Sequence, residues 1–127
     1  MGSFNSKLKS TNDIKILLFA YSFPPGQGGG EQYNITLATG LRESGQTIFV
    51  ITPQRASGTD SFPFRVVRTR SGLIGSLLDF YKNLKKINPD LLHISGPTPI
   101  DYVIVVLAKV YHIPVVLTYH ADFPSHF

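Results

Sequence analysis

Apolar residues fall in short blocks along this chain, and the blocks alternate between two spacings. Ile14-Lys15-Ile16-Leu17-Leu18-Phe19-Ala20-Tyr21 is a nearly continuous apolar run of strand length. That is the pattern of a strand buried on both faces, as in a parallel sheet. Ser22 to Gly30 then gathers two prolines and four glycines and reads as a loop. A helical period follows, with Tyr33, Leu37, Ala38 and Leu41 on one face. Glu31 is favourable near that helix's N-terminus, and Gly45 suits its end. Ile48-Phe49-Val50-Ile51 is a second strand, closed by Pro53.

Residues 53–63 carry Pro, Ser, Gly and Asp and form a connection to a short third strand, Phe64 to Arg68. Leu73 to Ile87 has helical spacing, with Leu77, Leu78, Tyr81, Leu84 and Ile87 in phase, and Asn88-Pro89-Asp90 stops it. Leu91 to Ser95 is the fourth strand. Gly96-Pro97-Thr98-Pro99 turns into Ile100–Tyr111, whose valines would permit strand. Its length and the Pro99 start favour a buried helix instead. Val115 to Tyr119 is the fifth strand. The order β-α-β-β-α-β-α-β predicts an α/β fold with a parallel, doubly wound, Rossmann-like sheet.

Composition narrows the picture without redirecting it. The 127 residues give room for one domain. Hydrophobic residues at 43% and charged residues at 16% suit a packed core rather than disorder. The net charge of +4 is mild and comes without a long like-sign run, so nucleic-acid binding is not implied. A basic face suits an anionic ligand or an anionic membrane surface, though a solubilising surface explains it as simply. No cysteine is present, which excludes disulfides, zinc thiolates and thiol catalysis. Residues 1–13 read as a flexible polar tail without a signal peptide, and 14–127 as the domain. The most apolar stretch, Tyr102 to Tyr119, is interrupted by Lys109, His112 and Pro114, so no membrane span is expected. A cytoplasmic location follows as the expectation, with peripheral membrane contact through Lys82, Lys85 and Lys86 as a weaker one.

Ligands of doubly wound sheets bind beyond the carboxyl ends of the strands. Three loops fall there: Ser22–Gly30, Ser95–Pro99 and His120–Phe123. In the first, Gly28, Gly29 and Gly30 let backbone N–H groups approach a phosphate or sugar at a helix N-terminus. It is not a P-loop, because no lysine and hydroxyl residue follow Gly30. Nor is it a dinucleotide fingerprint, which would need glycine at Glu31 or Tyr33. No acid ends the second strand to hold a ribose, so nicotinamide chemistry is disfavoured. In the third loop, His120 suits hydrogen bonding to a reacting sugar or phosphate group. A strand-end histidine bonded to backbone is an equal alternative. Metal binding with Asp122 ranks last, since no third ligand is identifiable. The second loop is best read as a rigid turn with one hydroxyl. His93 reads as a satisfied core residue, His112 as a helix-end cap, and Tyr21 and Phe23 as packing.

Together these pieces resemble the N-terminal domain of glycosyltransferase family 4, retaining enzymes of the GT-B fold. The resemblance rests on Lys15-Ile16-Leu17-Leu18, Phe23-Pro24-Pro25, Gly28-Gly29-Gly30-Glu31, and the helix end Leu41-Arg42-Glu43-Ser44-Gly45. It continues through Phe49-Val50-Ile51-Thr52, Pro89-Asp90-Leu91-Leu92-His93-Ile94, Gly96-Pro97, and Ile113-Pro114 to Asp122. It spans residues 14 to about 124. The resemblance implies a nucleotide-sugar donor held between two domains and a hydroxyl acceptor shaped mostly by this one. Gly28, Gly29, Gly30 and Glu31 would lie near the donor diphosphate, with His120 and Asp122 near the transferred sugar. It implies no cofactor and no metal. Two departures stand out. Gln46 follows Gly45 where many relatives have histidine. The second domain, with its E-x7-E motif and basic residues, is absent, and the first domain reads as lacking its last elements. Transfer would then need a C-terminal domain or partner subunit. The rival expectation is a non-catalytic carbohydrate- or nucleotide-binding domain, or a subunit of a split transferase.

Overall fold

The computed structural model describes residues 14–21, 23, 29–53, 62–70, 72–96 and 98–119. Five strands, β1 (Lys15–Ala20), β2 (Thr47–Thr52), β3 (Arg65–Arg68), β4 (Leu91–Gly96) and β5 (Val115–Tyr119), form one sheet in the order β3-β2-β1-β4-β5. Every pairing is parallel. Three helices accompany it: α1 (Gly29–Glu43), α2 (Leu73–Ile87) and α3 (Pro99–Val110). This is the expected Rossmann-like α/β arrangement.

β1 is central because its sequence is apolar in both phases. Leu17 and Phe19 face one core with Ile51, Leu92 and Ile94, while Ile16, Leu18 and Ala20 face another with Ile48 and Val50. α2 and α3 cover the first core through Phe80, Leu84, Ile100, Ile104 and Ala108. α1 covers the second through Ala38, beside Phe23 and Phe64. The chain steps outward one way after β1 and the other way after β3. With a single crossover hand, those opposite steps put their helices on opposite faces. Lys15 ties the strand ends together: its N–H donates to Asp90 Oδ2 at 2.8 Å and its Nζ to the Ile87 carbonyl at 2.8 Å.

Helix limits follow the expected punctuation, but helix faces do not. α2 spans the predicted residues and ends where Asn88 adopts φ 50° and donates its N–H to Leu84 O. Its buried face is Ser76, Phe80, Leu84 and Ile87, so Leu78 is exposed. Ser76 can be buried because its hydroxyl donates to Arg70 O at 2.9 Å and lies 2.9 Å from Thr69 Oγ1. α1 turns Asn34 and Ala38 inward rather than Tyr33. The space beside it is filled by Phe23, Phe62 and Phe64, with Phe62 and Phe64 stacked at 5.5 Å. α3, expected to be buried, is so on one side only. Ile104 and Ala108 are inaccessible, whereas Tyr102 is 72% and Val106 61% exposed.

Phe80 meets Phe19 edge to face, with ring centroids 5.4 Å apart. Both rings are fully buried. Phe80→Ala is expected to lower unfolding free energy by about 3–5 kcal/mol, measured by urea titration. Leu78→Ala, on the exposed side, should cost less than about 1 kcal/mol.

Candidate functional site

The strand order reverses direction at β1. From there the chain leaves to α1 on one face, while β4, its neighbour, leads to α3 on the other. Such a divergence opens a crevice at the carboxyl edge of the sheet. A cavity of about 410 Å³ lies there. Its walls come from residues following four strands: Tyr21 after β1, Pro53 after β2, Gly72, Leu73 and Ser76 after β3, and Thr98 and Ile100 after β4.

The wall after β3 is strapped in place. The Arg70 main-chain N–H donates to Asp79 Oδ2 at 2.8 Å, and its guanidinium reaches Asp79 Oδ1 at 3.0 Å. The guanidinium holds the Asp79 carboxyl below its ordinary range. Gly72, at φ 95°, precedes α2 and provides no side-chain cap, and α2's first turn carries no acid. Only glycine enters that backbone region without strain.

The wall after β4 is built differently. Asp101 Oδ2 accepts the Thr98 N–H at 2.7 Å, and the Asp101 N–H donates to the Thr98 main-chain carbonyl at 3.0 Å. Thr98 is one of the cavity-wall residues, but its Oγ1 has no accessible surface and is turned toward Asp101. Asp101 itself is 4% exposed, and burial raises its carboxyl pKa against the opposing pull of the Thr98 N–H. Gly96 is required for this packing, since a Cβ there would overlap Asp101 Oδ2. α3 therefore meets its own N-terminus with a carboxylate, which disfavours any other anion at that helix.

α1 opens with two glycines. Gly29 and Gly30 form its first residues, so the predicted loop ends one residue before Gly29 rather than at Gly30. Glu31 is half-buried in that first turn. None of the three lines the cavity; they stand at the neighbouring helix start, reached from the same edge of β1. Gly28, His120 and Asp122 lie outside the described residues. His93 is half-buried, with Nε2 hydrogen-bonded to Thr118 Oγ1, and His112 adopts φ 57° and donates its N–H to Lys109 O at the end of α3. Both have the structural roles expected. Tyr21 and Thr98, read from sequence as packing and turn, prove to be cavity walls. Leu73, Ser76 and Ile100 were not anticipated. The signal was present in Gly72, a turn residue after the third strand.

Among the described residues, no group of three His, Cys, Asp or Glu could hold a metal ion. None of their helices is long and apolar enough to cross a membrane.

A parallel, doubly wound sheet with a crevice at its switch point and a glycine-opened helix beside it defines a Rossmann-like α/β domain. A sequence profile described as Glycosyltransferase Family 4 matches residues 27–127, most of the chain, and the chain belongs to that family. No curated protein matches it significantly.

Gly96→Ala should displace the Asp101 carboxylate and destabilise the domain by about 1 kcal/mol or more, the scale of a lost N-terminal cap. The penalty should shrink in an Asp101→Ser background, as a double-mutant cycle by urea titration would read. A second prediction concerns pH. The folded chain holds the Asp101 proton more tightly than the unfolded chain, where the ordinary value is 3.8. Its contribution to stability is therefore full below 3.8 and declines as pH rises through the raised value. Asp101→Asn should remove that decline, measured as urea midpoints across the acid-to-neutral range. Asp79, with its lowered pKa, gives the opposite slope and is left intact by the substitution.

Proposed function

We propose that this domain is the acceptor-side half of a retaining glycosyltransferase that moves a sugar from a nucleotide-sugar donor to a hydroxyl acceptor. The observation that carries the reading is the switch-point crevice with α1 opening on Gly29 and Gly30 beside it. Departure of a nucleoside diphosphate concentrates negative charge on its phosphate oxygens, and fixed N–H donors aimed there are an efficient way to stabilise it. In this reading Gly28, Gly29 and Gly30 bring main-chain N–H groups to the diphosphate without a Cβ in the way. Glu31 lies beside them, and its carboxylate discourages phosphate from moving deeper along the helix. His120 and Asp122, which follow β5 in sequence, orient the transferred sugar.

The other two helix starts suit different work. Asp101 makes the start of α3 unattractive to phosphate. The cavity walled by Tyr21, Leu73 and Ile100 is the natural seat for the acceptor. A crevice of this kind has one wall in this domain, so donor capture and transfer need a second domain or a partner subunit facing it. The chemistry assigned to these residues requires no metal or cofactor, and a cytoplasmic location would supply the nucleotide sugar.

With the facing domain present, Gly29→Val and His120→Ala should each reduce the transfer rate by about 10²–10³-fold, read from sugar incorporation into acceptor. Full rates in both variants would reject the assignment. Tight nucleotide-sugar binding by this chain alone, without a partner, would favour a non-catalytic binding domain instead.

A further inference from the structure

We infer that the amino edge of the sheet, opposite the crevice, carries a second ligand site, one that takes the phosphate group of a small, soluble phosphate monoester. A cavity of about 220 Å³ lies there, beside the last turns of α2. Three cations border it, each from a different element: Lys15 opening β1, Arg65 opening β3 and Lys86 in the last turn of α2. Asn83 adds a side-chain amide, which also donates to Asp79 O at 2.8 Å. Phe49 and Val67, packed against the core, supply the apolar side. The volume falls below the roughly 300–1,000 Å³ of pockets for drug-sized ligands, which suits a phosphate with a small substituent. β1 is six residues long, so about 20 Å of sheet separates this cavity from the crevice. A ligand here is distinct from any donor or acceptor bound there.

Cations in the last turn of a helix commonly offset the partial negative charge of its carbonyl end. For α2 that work is already done. The Lys15 Nζ donates to the Ile87 carbonyl at 2.8 Å, and Lys85 stands in the same last turn, over the Tyr81 ring at 5.6 Å. Arg65 and Lys86 are both exposed, and among the described residues neither is paired with an acid. Asp90, an acid at this edge, accepts the Lys15 main-chain N–H. Like charges around one concavity repel each other and raise the local concentration of anions. Two ammonium groups and a guanidinium match a dianion better than the single charge of a carboxylate. The guanidinium fork can hold two phosphate oxygens at once. Phe49 and Val67 give the ester's substituent apolar surface to cover.

The positive character continues along the edge. Phe49 and Arg65 also border a neighbouring cavity of about 450 Å³, to which Arg42 contributes from the last turn of α1. Four cations from β1, β3, α1 and α2 thus gather at one edge of a chain whose net charge is only +4. A phosphate held by Lys15, Arg65 and Lys86 ties two strands and a helix together. Binding to the folded chain alone stabilises it, so the ligand should raise the midpoint of unfolding. α2 joins the two ends of the domain, with Leu73 and Ser76 at the crevice and Asn83 and Lys86 at this cavity.

The test uses the complete chain in solution, followed residue by residue by NMR, with phenyl phosphate and benzoate as probes. Both have an aromatic ring, and they differ in the anionic group. Phenyl phosphate should shift Lys15, Phe49, Arg65, Val67 and Lys86, and should bind at least about tenfold more tightly than benzoate. Arg65→Gln and Lys86→Gln, both at exposed positions, should each weaken phenyl phosphate about tenfold with the helical signal of the fold intact. Lys82→Gln removes the same charge one turn back on α2, outside the cavity, and should leave the affinity unchanged. Equal losses in all three variants would mean a diffuse basic surface and would overturn the inference. Equal affinity for the two probes, or shifts confined to Gly29 to Glu31 at the start of α1, would do the same. A parallel arm offers vesicles of phosphatidylcholine containing phosphatidic acid. Retention on those vesicles without shifts from phenyl phosphate would assign the cations to a membrane surface and reject the soluble ligand.

Discussion

β1 has a parallel neighbour on each edge and a helix layer over each face, and every other part of the fold is placed by that fact. Beyond Lys15, whose N–H is taken by Asp90, its backbone N–H and C=O groups pair with β2 and β4, because an orphaned buried group costs as much as a lost hydrogen bond. Its side chains must be apolar in both phases, which Ile16 to Ala20 provide. Once β2 and β4 occupy its two edges, the connections that lead into them step in opposite directions, and their helices, α1 and α2, fall on opposite faces. The crevice at the carboxyl edge is the space those diverging connections leave. The candidate site is thus a by-product of how a doubly buried strand is satisfied.

The two helix starts nearest β1 and β4 are finished in contrasting ways. α1 begins with glycines and exposes backbone. α3 begins with Thr98 and Asp101, which close on each other over Gly96. Both first turns carry an acid, Glu31 in α1 and Asp101 in α3, but only the Asp101 carboxylate is bonded back to a main-chain N–H of its own helix start among the hydrogen bonds described.

The sequence was most legible where apolar blocks meet turn residues. β5 and α2 have the limits that their spacing, Pro114 and Asn88-Pro89 suggest. It was less legible in rotation about the helix axes. Counting leucines on α2 favoured Leu77, Leu78 and Tyr81, but Ser76 and Phe80 win the inward positions. Phe80 finds Phe19, and Ser76 finds polar partners on Thr69 and Arg70 that no local pattern advertises. Valine-rich α3 looked fully buried because composition cannot tell how many neighbours a helix has. The site was half visible. Glycines at the start of α1 were evident, whereas Leu73 and Ile100 become cavity walls only when β3 and β4, separated in the sheet by β2 and β1, deliver them to one edge.

The two outer strands of the described sheet are not equivalent. β3 carries Arg65 and Arg68, charges that discourage another strand from docking alongside. β5 is Val-Val-Leu-Thr-Tyr, without a charge, and Val116 and Leu117 are about half exposed on opposite faces. A sheet protected at both margins stays single, and one open at both can lengthen without limit. With one margin guarded by arginines and the other uncharged, β5 rather than β3 is the edge at which a further strand would pair.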